Sequence, residues 1–539
     1  MRKKSTVEKL KESFGNIKDD DFQFDLIEKY FVNKDNSDSF QVLSDKTCND
    51  LDFEELFMFL DRTTSIVGQQ CLYNKLRVIP NILYDIDNKE DLIKKLTDDI
   101  DYRINTQLQL DKLNKDDVFH ISSLFQEEHQ KPPKWFFIIR LLSFTSFLSL
   151  IMLPFNPQMF FVFLGVFIVN IVIHYWNKRH LYKYLGSIPQ LLRLNTIAYN
   201  LHKDQNFKKI DPVLLNSIRI INQVRNRMLF FRLGTSLQSD MEAIFWGILE
   251  LLKIAFLIEP LLLFGVLKRL DSKRKEIENV FSFVGEIDII LSIASLRNGL
   301  DKYCLPKISD SKFSAKSIYH PLIPDCITNT IDISNKSILL TGSNMSGKTT
   351  FIRTIGLNMI TGLTINTCFA TSMTMPKLRI YSAIRISDDL MNDKSYYFEE
   401  VLTIKEMIDK SCNGTPNLFL LDEIFKGTNT IERISAGKAV LSTLSKNENI
   451  VFVSTHDIEL TDMLSDKYEL YHFSEIVKEN NVDFDYKLKE GKLKNRNAIR
   501  ILQINNYPKD LIDEAIEISN EMDEITVANN AYKSYRKIL

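Results

Sequence analysis

The stretch ILLTGSNMSGKTTFIRTIGLNMI, residues 338–360, constrains the fold more tightly than any other part of the chain. Its centre, residues 342–349, reads G-x-x-x-x-G-K-T. A strand-like KSILL precedes it and a helix-like TTFIRTIGLNMI follows. Strand, glycine-bounded loop and helix in that order predict a phosphate-binding loop at the C-terminal end of a sheet strand. Such a loop turns its backbone N–H groups inward around phosphate oxygens, and the following helix N-terminus adds positive potential. The residues expected to line the nucleotide are Gly342, Ser343, Asn344, Met345, Ser346, Gly347, Lys348, Thr349 and Thr350. Lys348 is expected to reach the β- and γ-phosphates, and the Thr349 hydroxyl to ligate Mg²⁺.

Two later segments complete that reading. Leu418, Phe419, Leu420 and Leu421 form an unbroken apolar run, as in a strand buried on both faces of a parallel sheet. Asp422 and Glu423 follow at its C-terminal end, where open α/β sheets hold ligands. Asp422 is expected to hold Mg²⁺ through water, and Glu423 to orient and deprotonate the attacking water. A third apolar run, NIVFVSTHD at 449–457, predicts a strand whose end aims Thr455 and His456 at the γ-phosphate. A histidine at a strand end is as often only a surface residue.

With 539 residues the chain is too long for one core, and two to four domains are expected. Its net charge of −2 gives no global attraction to nucleic acid, so a DNA contact would need a local basic face. The six cysteines are scattered without a C-x-x-C pair, which argues against a disulfide framework or a zinc site. The basic N-terminus has no apolar run behind it and does not read as a secretory signal.

Residues 135–176 are of another character: WFFIIRLLSFTSFLSLIMLPFNPQMFFVFLGVFIVNIVIHYW. The stretch divides at the turn signal PFNP. Each half, with its flanks, is just long enough to cross a hydrocarbon core of roughly 30 Å at about 1.5 Å per residue. Lys131 and Lys134 precede the hairpin, and Lys178, Arg179 and His180 follow it, which places both ends in the cytoplasm. Ser143, Ser146 and Ser149 make a small-residue stripe against which a second helix can pack. The alternative is a buried helical hairpin of a large soluble core. A second apolar stretch, 243–267, is interrupted by Glu250, Lys253, Glu259 and Pro260; it reads as a long amphipathic core helix or one lying at a membrane surface, with a membrane span as the weaker alternative. Lys203, Lys208, Lys209, Arg219, Arg225, Arg227 and Arg232, with Phe230 and Phe231, suit either a DNA-facing lever or a face leaning on anionic lipid.

The motifs GSNMSGKTT, LLDEIFKGTNTIERISAGKAV and VSTHDIELTDML resemble the ATPase domain of the MutS family, the mismatch-repair ATPases. SDDLMNDKSYYFEEV (387–401), YHPLI (319–323) and residues 484–515 are similar to further family segments, the last to its closing strands and dimerising helix-turn-helix. LFMFLDRTTSIVGQQCLYNKLRVIP (56–80) and VGEIDIILSIASLRNGLDKYCLP (284–306) resemble the first and last parts of the family's helical core. The resemblance implies ATP and Mg²⁺ as cofactors, a homodimer, and Asn429 reaching the partner's nucleotide. The sequence departs from the family at Phe425, usually glycine, at Asn429, often serine, and at Glu432, usually aspartate. Cys326 stands where relatives stack an aromatic on adenine. Residues 1–55, ahead of the core motif, are too few for the mismatch-reading domain, which puts mismatch specificity in doubt.

The expected architecture is α plus α/β. A helical core and lever (1–130 and 183–312) carries an inserted transmembrane hairpin (131–182), followed by a P-loop ATPase domain (313–485) and a C-terminal dimerising segment with a helix-turn-helix (486–539). The expected function is that of a multi-pass cytoplasmic-membrane ATPase, its ATPase domain in the cytoplasm, switching binding to DNA, mismatched or branched, with repair proteins as further partners. The alternative is a membrane scaffold or transport-like ATPase acting on protein or lipid without DNA.

Overall fold

A computed structural model of the chain describes residues 2–81, 86–180, 182–225, 228, 240–334, 336–343, 345–385, 396–478, 481–493, 499, 502–503, 507–519 and 521. The chain divides into two compact units: Met1–Val42 with Phe57–Asp301, and Leu43–Leu56 with Lys302–Leu539.

The first unit is helical. Its centre is the crossing of Ile66–Arg77 (α1) with a later helix, Arg274–Asn298 (numbered α7 below). Two glycines let these helices approach closely. A Cβ on Gly68 would lie 2.2 Å from the Asp288 carboxylate, and one on Gly285 would lie 2.3 Å from Cys71 Sγ. Asp288 is fully buried, and its carboxylate accepts the backbone N–H groups of Thr64 and Ser65 at 2.9 and 2.7 Å. Ser65 in turn caps α1 by accepting from the Gly68 N–H at 3.0 Å. The later helix is long and apolar enough to cross a membrane, but most of it is buried inside the unit, so it is a core helix.

Between them lie Phe136–Met152 (α2), Met159–His180 (α3), Tyr182–His202 (α4), Asp240–Ala255 (α5) and Ile258–Asp271 (α6), before Arg274–Asn298 (α7). α2 and α3 form a helical hairpin. Phe137, Leu141, Phe144, Phe161, Ile168 and Val172 are exposed on it, whereas Ser146, Ser149 and Asn170 are buried. The serine stripe thus faces the packed side. The stretch 243–267 is not one helix: it breaks at Leu257, whose φ is 48°. Arg227, Phe230, Phe231 and Arg232 of the basic segment lie outside the described residues.

The second unit is α/β. Its strands are Lys307–Ile308 (β1), Lys312–Ile318 (β2), Asn329–Ser334 (β3), Ser337–Thr341 (β4), Ser372–Met375 (β5), Arg379–Ala383 (β6), Asn417–Asp422 (β7), Ile450–Ser454 (β8), Tyr468–His472 (β9), Glu475–Lys478 (β10), Asn481–Phe484 (β11) and Lys489–Glu490 (β12). Six of them form one sheet in the order β12-β9-β4-β8-β7-β6. All neighbours are parallel except β12, which adds antiparallel at the edge. Parallel strands need crossovers, and Lys348–Ile365 (α8), Tyr396–Ser411 (α9), Thr430–Leu444 (α10) and Ile458–Leu464 (α11) lie in these connections. β4 and β8 are buried at every position, as unbroken apolar runs in a doubly covered sheet must be. A second, four-stranded sheet has the order β1-β5-β2-β3.

The boundaries differ from the sequence expectation in two places. The second unit begins at Lys302 rather than 313, and it takes in Leu43–Leu56, expected within the helical core. Two acids explain the second difference. Buried Asp50 accepts from Ser382 Oγ at 2.6 Å, from the Ile384 N–H at 3.1 Å and from the Arg385 N–H at 2.7 Å. Asp52 pairs with Arg353 at 2.9 Å and Arg385 at 2.6 Å. Of the C-terminal segment, β12 joins the six-stranded sheet and residues 509–519 are helical; most of the expected helix-turn-helix lies outside the described residues.

Gly68→Ala is expected to destabilise the helical unit by about 1–3 kcal/mol through overpacking against Asp288, read as a lower denaturation midpoint.

Candidate active site

The loop at the end of β4 is shaped by three positive φ angles: Gly342 at 153°, Met345 at 67° and Gly347 at 104°. A side chain at Gly342 would come within 2.8 Å of both Phe473 O and Ser346 Oγ. Gly347 is the N-cap of α8, so the helix begins directly at Lys348. Lys348 is folded along the loop, donating to Gly342 O and Ser343 O, each at 2.8 Å. Burial draws its ammonium below the ordinary lysine range, against the attraction of Glu423 and Asp422. Ser346 Oγ is buried with no partner among the described residues, while Ser343 Oγ bonds Glu475. Met345 points outward at 82% exposure, and Asn344 lies outside the described residues.

β7 brings Asp422 to the same place. Thr349 Oγ1 donates to Asp422 Oδ2 at 2.8 Å, and Ser454 Oγ bonds the other oxygen. The chain then turns sharply, with Glu423 at φ 53° and Phe425 at φ 61°. Phe425 therefore occupies a left-handed position that glycine would take without steric cost. Burial of its ring and capture of its N–H by Glu400 hold it there. Glu423 Oε1 meets His456 Nε2 at 2.7 Å, and Oε2 meets Lys426 at 3.3 Å. Burial raises the Glu423 carboxyl, but the His456 hydrogen bond and the charges of His456 and Lys426 outweigh it and bring it to about 2. Glu423 is thus ionised at neutral pH.

His456 stands on Glu423, at the end of β8. Thr455 turns back, its Oγ1 accepting the Asp457 N–H at 3.0 Å. Asn429 is exposed and caps α10, accepting from the Glu432 N–H at 3.0 Å. Thr428 donates to the Glu432 carboxylate at 2.9 Å, so glutamate at 432 steadies the same turn.

Lys348, Thr349, Thr350 and Glu423 border a cavity of about 630 Å³, with His320, Cys326 and Tyr486 also on its wall. Two observations fit a triphosphate there: the glycine cradle that a Cβ would fill, and the orphaned Ser346 hydroxyl. For a magnesium ion the donor set is one hydroxyl and one carboxylate, Thr349 and Asp422, which suits a cation that takes its remaining oxygens from phosphate and water. Among the described residues no cluster of three or more His, Cys, Asp or Glu could hold a metal unaided.

Sequence reasoning missed Ser454, Glu475 and Tyr486. Cys326 lies on the wall as expected and brings no ring; its Sγ accepts the His320 N–H at 3.4 Å. Tyr486 brings a ring to the same wall, its Cδ1 3.3 Å from where a Cβ on Gly347 would lie. Asn329 holds that segment, donating to Tyr486 O at 3.1 Å and accepting from the Leu488 N–H at 2.8 Å. The only signal in the sequence was an aromatic just past the strand-like NVDF. Burial holds the His320 imidazole down at about 4, the pull of Asp52 notwithstanding, so this side chain is neutral at neutral pH.

Residues 338–523 match the family description MutS domain V. The chain is 31% identical over 277 residues to the DNA mismatch repair protein MSH3 of Kluyveromyces lactis, covering 47% of this chain and 26% of that protein. It is 27% identical over 262 residues to the DNA mismatch repair protein MutS of Oceanobacillus iheyensis, covering 46% and 30%. With MutS of Listeria welshimeri the figures are 29% over 291 residues, 50% and 33%. The chain therefore spans a third or less of the length of these relatives.

Tyr486→Ala is expected to weaken ATP binding about 5- to 100-fold, as loss of a base-stacking ring does, with little change in kcat; equilibrium titration with a fluorescent ATP analogue and steady-state kinetics check both.

Proposed function

We propose that this chain, which belongs to the MutS family through its domain V, is a membrane-anchored ATPase that dimerises around ATP and uses hydrolysis to switch its grip on DNA. The observation that carries the nucleotide reading is the convergence of Lys348, Thr349 and Glu423 on one cavity, with Asp422 hydrogen-bonded to Thr349 at its edge. Lys348 exchanges its two loop carbonyls for phosphate oxygens. Thr349 and Asp422 hold the magnesium ion, which neutralises phosphate charge when bound. Glu423, ionised and positioned by His456, orients the attacking water and takes its proton. Asn429, exposed at the start of α10, is the residue available to a nucleotide in the other subunit of a homodimer.

The relatives' names support DNA as the partner. Membrane anchoring rests on the hairpin: its outward face is apolar, and its basic residues lie at the ends that join the helical unit. That same apolar face favours a second reading, a membrane ATPase that acts on protein or lipid and does not bind DNA.

Lys348→Ala is expected to abolish ATP binding. Glu423→Gln is expected to keep ATP bound while lowering kcat about 10²- to 10⁴-fold; unchanged phosphate release would remove Glu423 as the base. Filter binding across a salt series separates the two readings. DNA affinity that falls steeply with salt supports the first, and no DNA binding even at low salt supports the second. Recovery of the chain in the supernatant after carbonate washing of membranes would return the hairpin to a soluble core.

A further inference from the structure

The break between α5 and α6 leaves carbonyls without intrahelical partners, a role that water fills at an exposed helix end. Here the hairpin fills it. Asn170 on α3, fully buried, donates to Ala255 O at 2.8 Å and to Ser146 Oγ on α2 at 3.2 Å. Ser143 on α2 donates to Phe256 O at 2.7 Å. The Phe147 and Phe256 rings meet beside it, 6.2 Å apart. Two carbonyls at the break are thereby paired with protein side chains, as backbone at membrane depth has to be.

The hairpin also serves as a depth gauge. Asn170 precedes the basic end of α3 at Lys178 by about 12 Å along the helix, close to the middle of a core of roughly 30 Å. α5 enters at the basic level, where Glu250 pairs with Lys178 at 3.2 Å. It ends beside Asn170. α6 then climbs back, so that Phe264 meets Phe136, the first residue of α2, at 5.1 Å. Both helices of the pair therefore open toward the same end of the hairpin.

The outward face of α5 continues the apolar surface. Ile248, Leu251 and Leu252 are 54%, 56% and 44% exposed. Two of the charges that interrupt the stretch point the other way. Lys253 and Glu259 are buried and pair at 3.0 Å, and Lys253 also meets Glu250 at 3.4 Å. His174 of α3 closes the cluster, 3.3 Å from Glu250. With Lys178 the group holds two carboxylates and two ammonium groups. A balanced, mutually paired cluster, with Lys253 and Glu259 buried and Glu250 and Lys178 part-exposed at the basic end, is a form in which ionisable side chains are tolerated beside a membrane.

We propose that α5 and α6 form a re-entrant helical hairpin that dips into the cytoplasmic leaflet and returns, with lipid acyl chains as the partner of the Ile248, Leu251 and Leu252 face. This rests on the reading that α2 and α3 span the membrane. The anchor is then four helices, and the arm that follows α6 into α7 is tied directly to the bilayer.

The test uses the full chain in vesicles of phosphatidylcholine carrying a photoreactive diazirine midway along the acyl chain, with adducts mapped by mass spectrometry. The expected result is labelling of residues 248–252 at a level similar to residues 161–172 of α3, and about tenfold above the apolar but buried α7, because only lipid-facing side chains meet the acyl chains. Labelling of α3 without residues 248–252 overturns the re-entrant hairpin and leaves the spanning pair intact. Absence of label from both overturns the membrane reading itself and this inference with it.

Discussion

The Asp422 carboxylate ties the α/β unit together at the C-terminal edge of its sheet. One oxygen takes the hydroxyl of Thr349, at the start of α8, and the other that of Ser454, at the end of β8. One side chain thus holds three elements, β7, β8 and α8, at the edge of the phosphate loop. The parallel sheet makes this possible, since β7 and β8 pair in register down to Asp422 and Ser454. Parallel neighbours bring their C-terminal ends to the same edge, so residues more than a hundred positions apart in sequence meet without any long-range motif to announce it. The contact also brings together the hydroxyl and the carboxylate that would hold a magnesium ion, the carboxylate through water.

What could be read from the sequence follows from this geometry. The three central strands were legible because a doubly buried strand has to be apolar at every position, and 418–421 and 450–453 are. The loop was legible because glycine at 342 and 347 has a steric reason that no other residue satisfies. Ser454 was not legible: a serine at a strand end has no signature until the neighbouring strand is known. Tyr486 was hidden for the same reason, since its place on the cavity wall depends on Asn329, far away in the chain. Asp50 and Asp52 misled in the opposite direction. They sit next to a motif of the helical core, yet their partners, Ser382, Arg353 and Arg385, all belong to the other unit. Sequence neighbourhood assigned them to one body, and the buried carboxylate, which has to find donors, assigned them to the other.

The apolar half of the chain shows a similar limit. Apolar length and the turn signal PFNP located two helices in residues 135–176, and the serine stripe lies on their packed side. The same signals read 243–267 as a single helix, because Glu250, Lys253 and Glu259 look like a polar face when they are counted along one. The break at Leu257 turns them toward one another and toward His174 instead. Composition says how many charges a segment carries; only the packing says whether they face water or each other.

Strain at the turn after β7 bears on how Glu423 works. Glu423 and Phe425 both adopt left-handed backbone angles, each at a cost on the order of 1–2 kcal/mol for a residue with a side chain. A turn that relaxed would swing the carboxylate off the cavity edge. The burial of Ile424 and Phe425 and the bond from the Phe425 N–H to Glu400 oppose that relaxation. Glu400 lies on α9, in the connection between β6 and β7, so the direction of the Glu423 carboxylate depends on how α9 seats against the sheet. His456 and Lys426 hold its carboxyl at about 2, so Glu423 is ionised at neutral pH. What the site has to control is therefore not whether Glu423 is ionised but where it points, and that is decided by packing behind the turn rather than by titration in front of it.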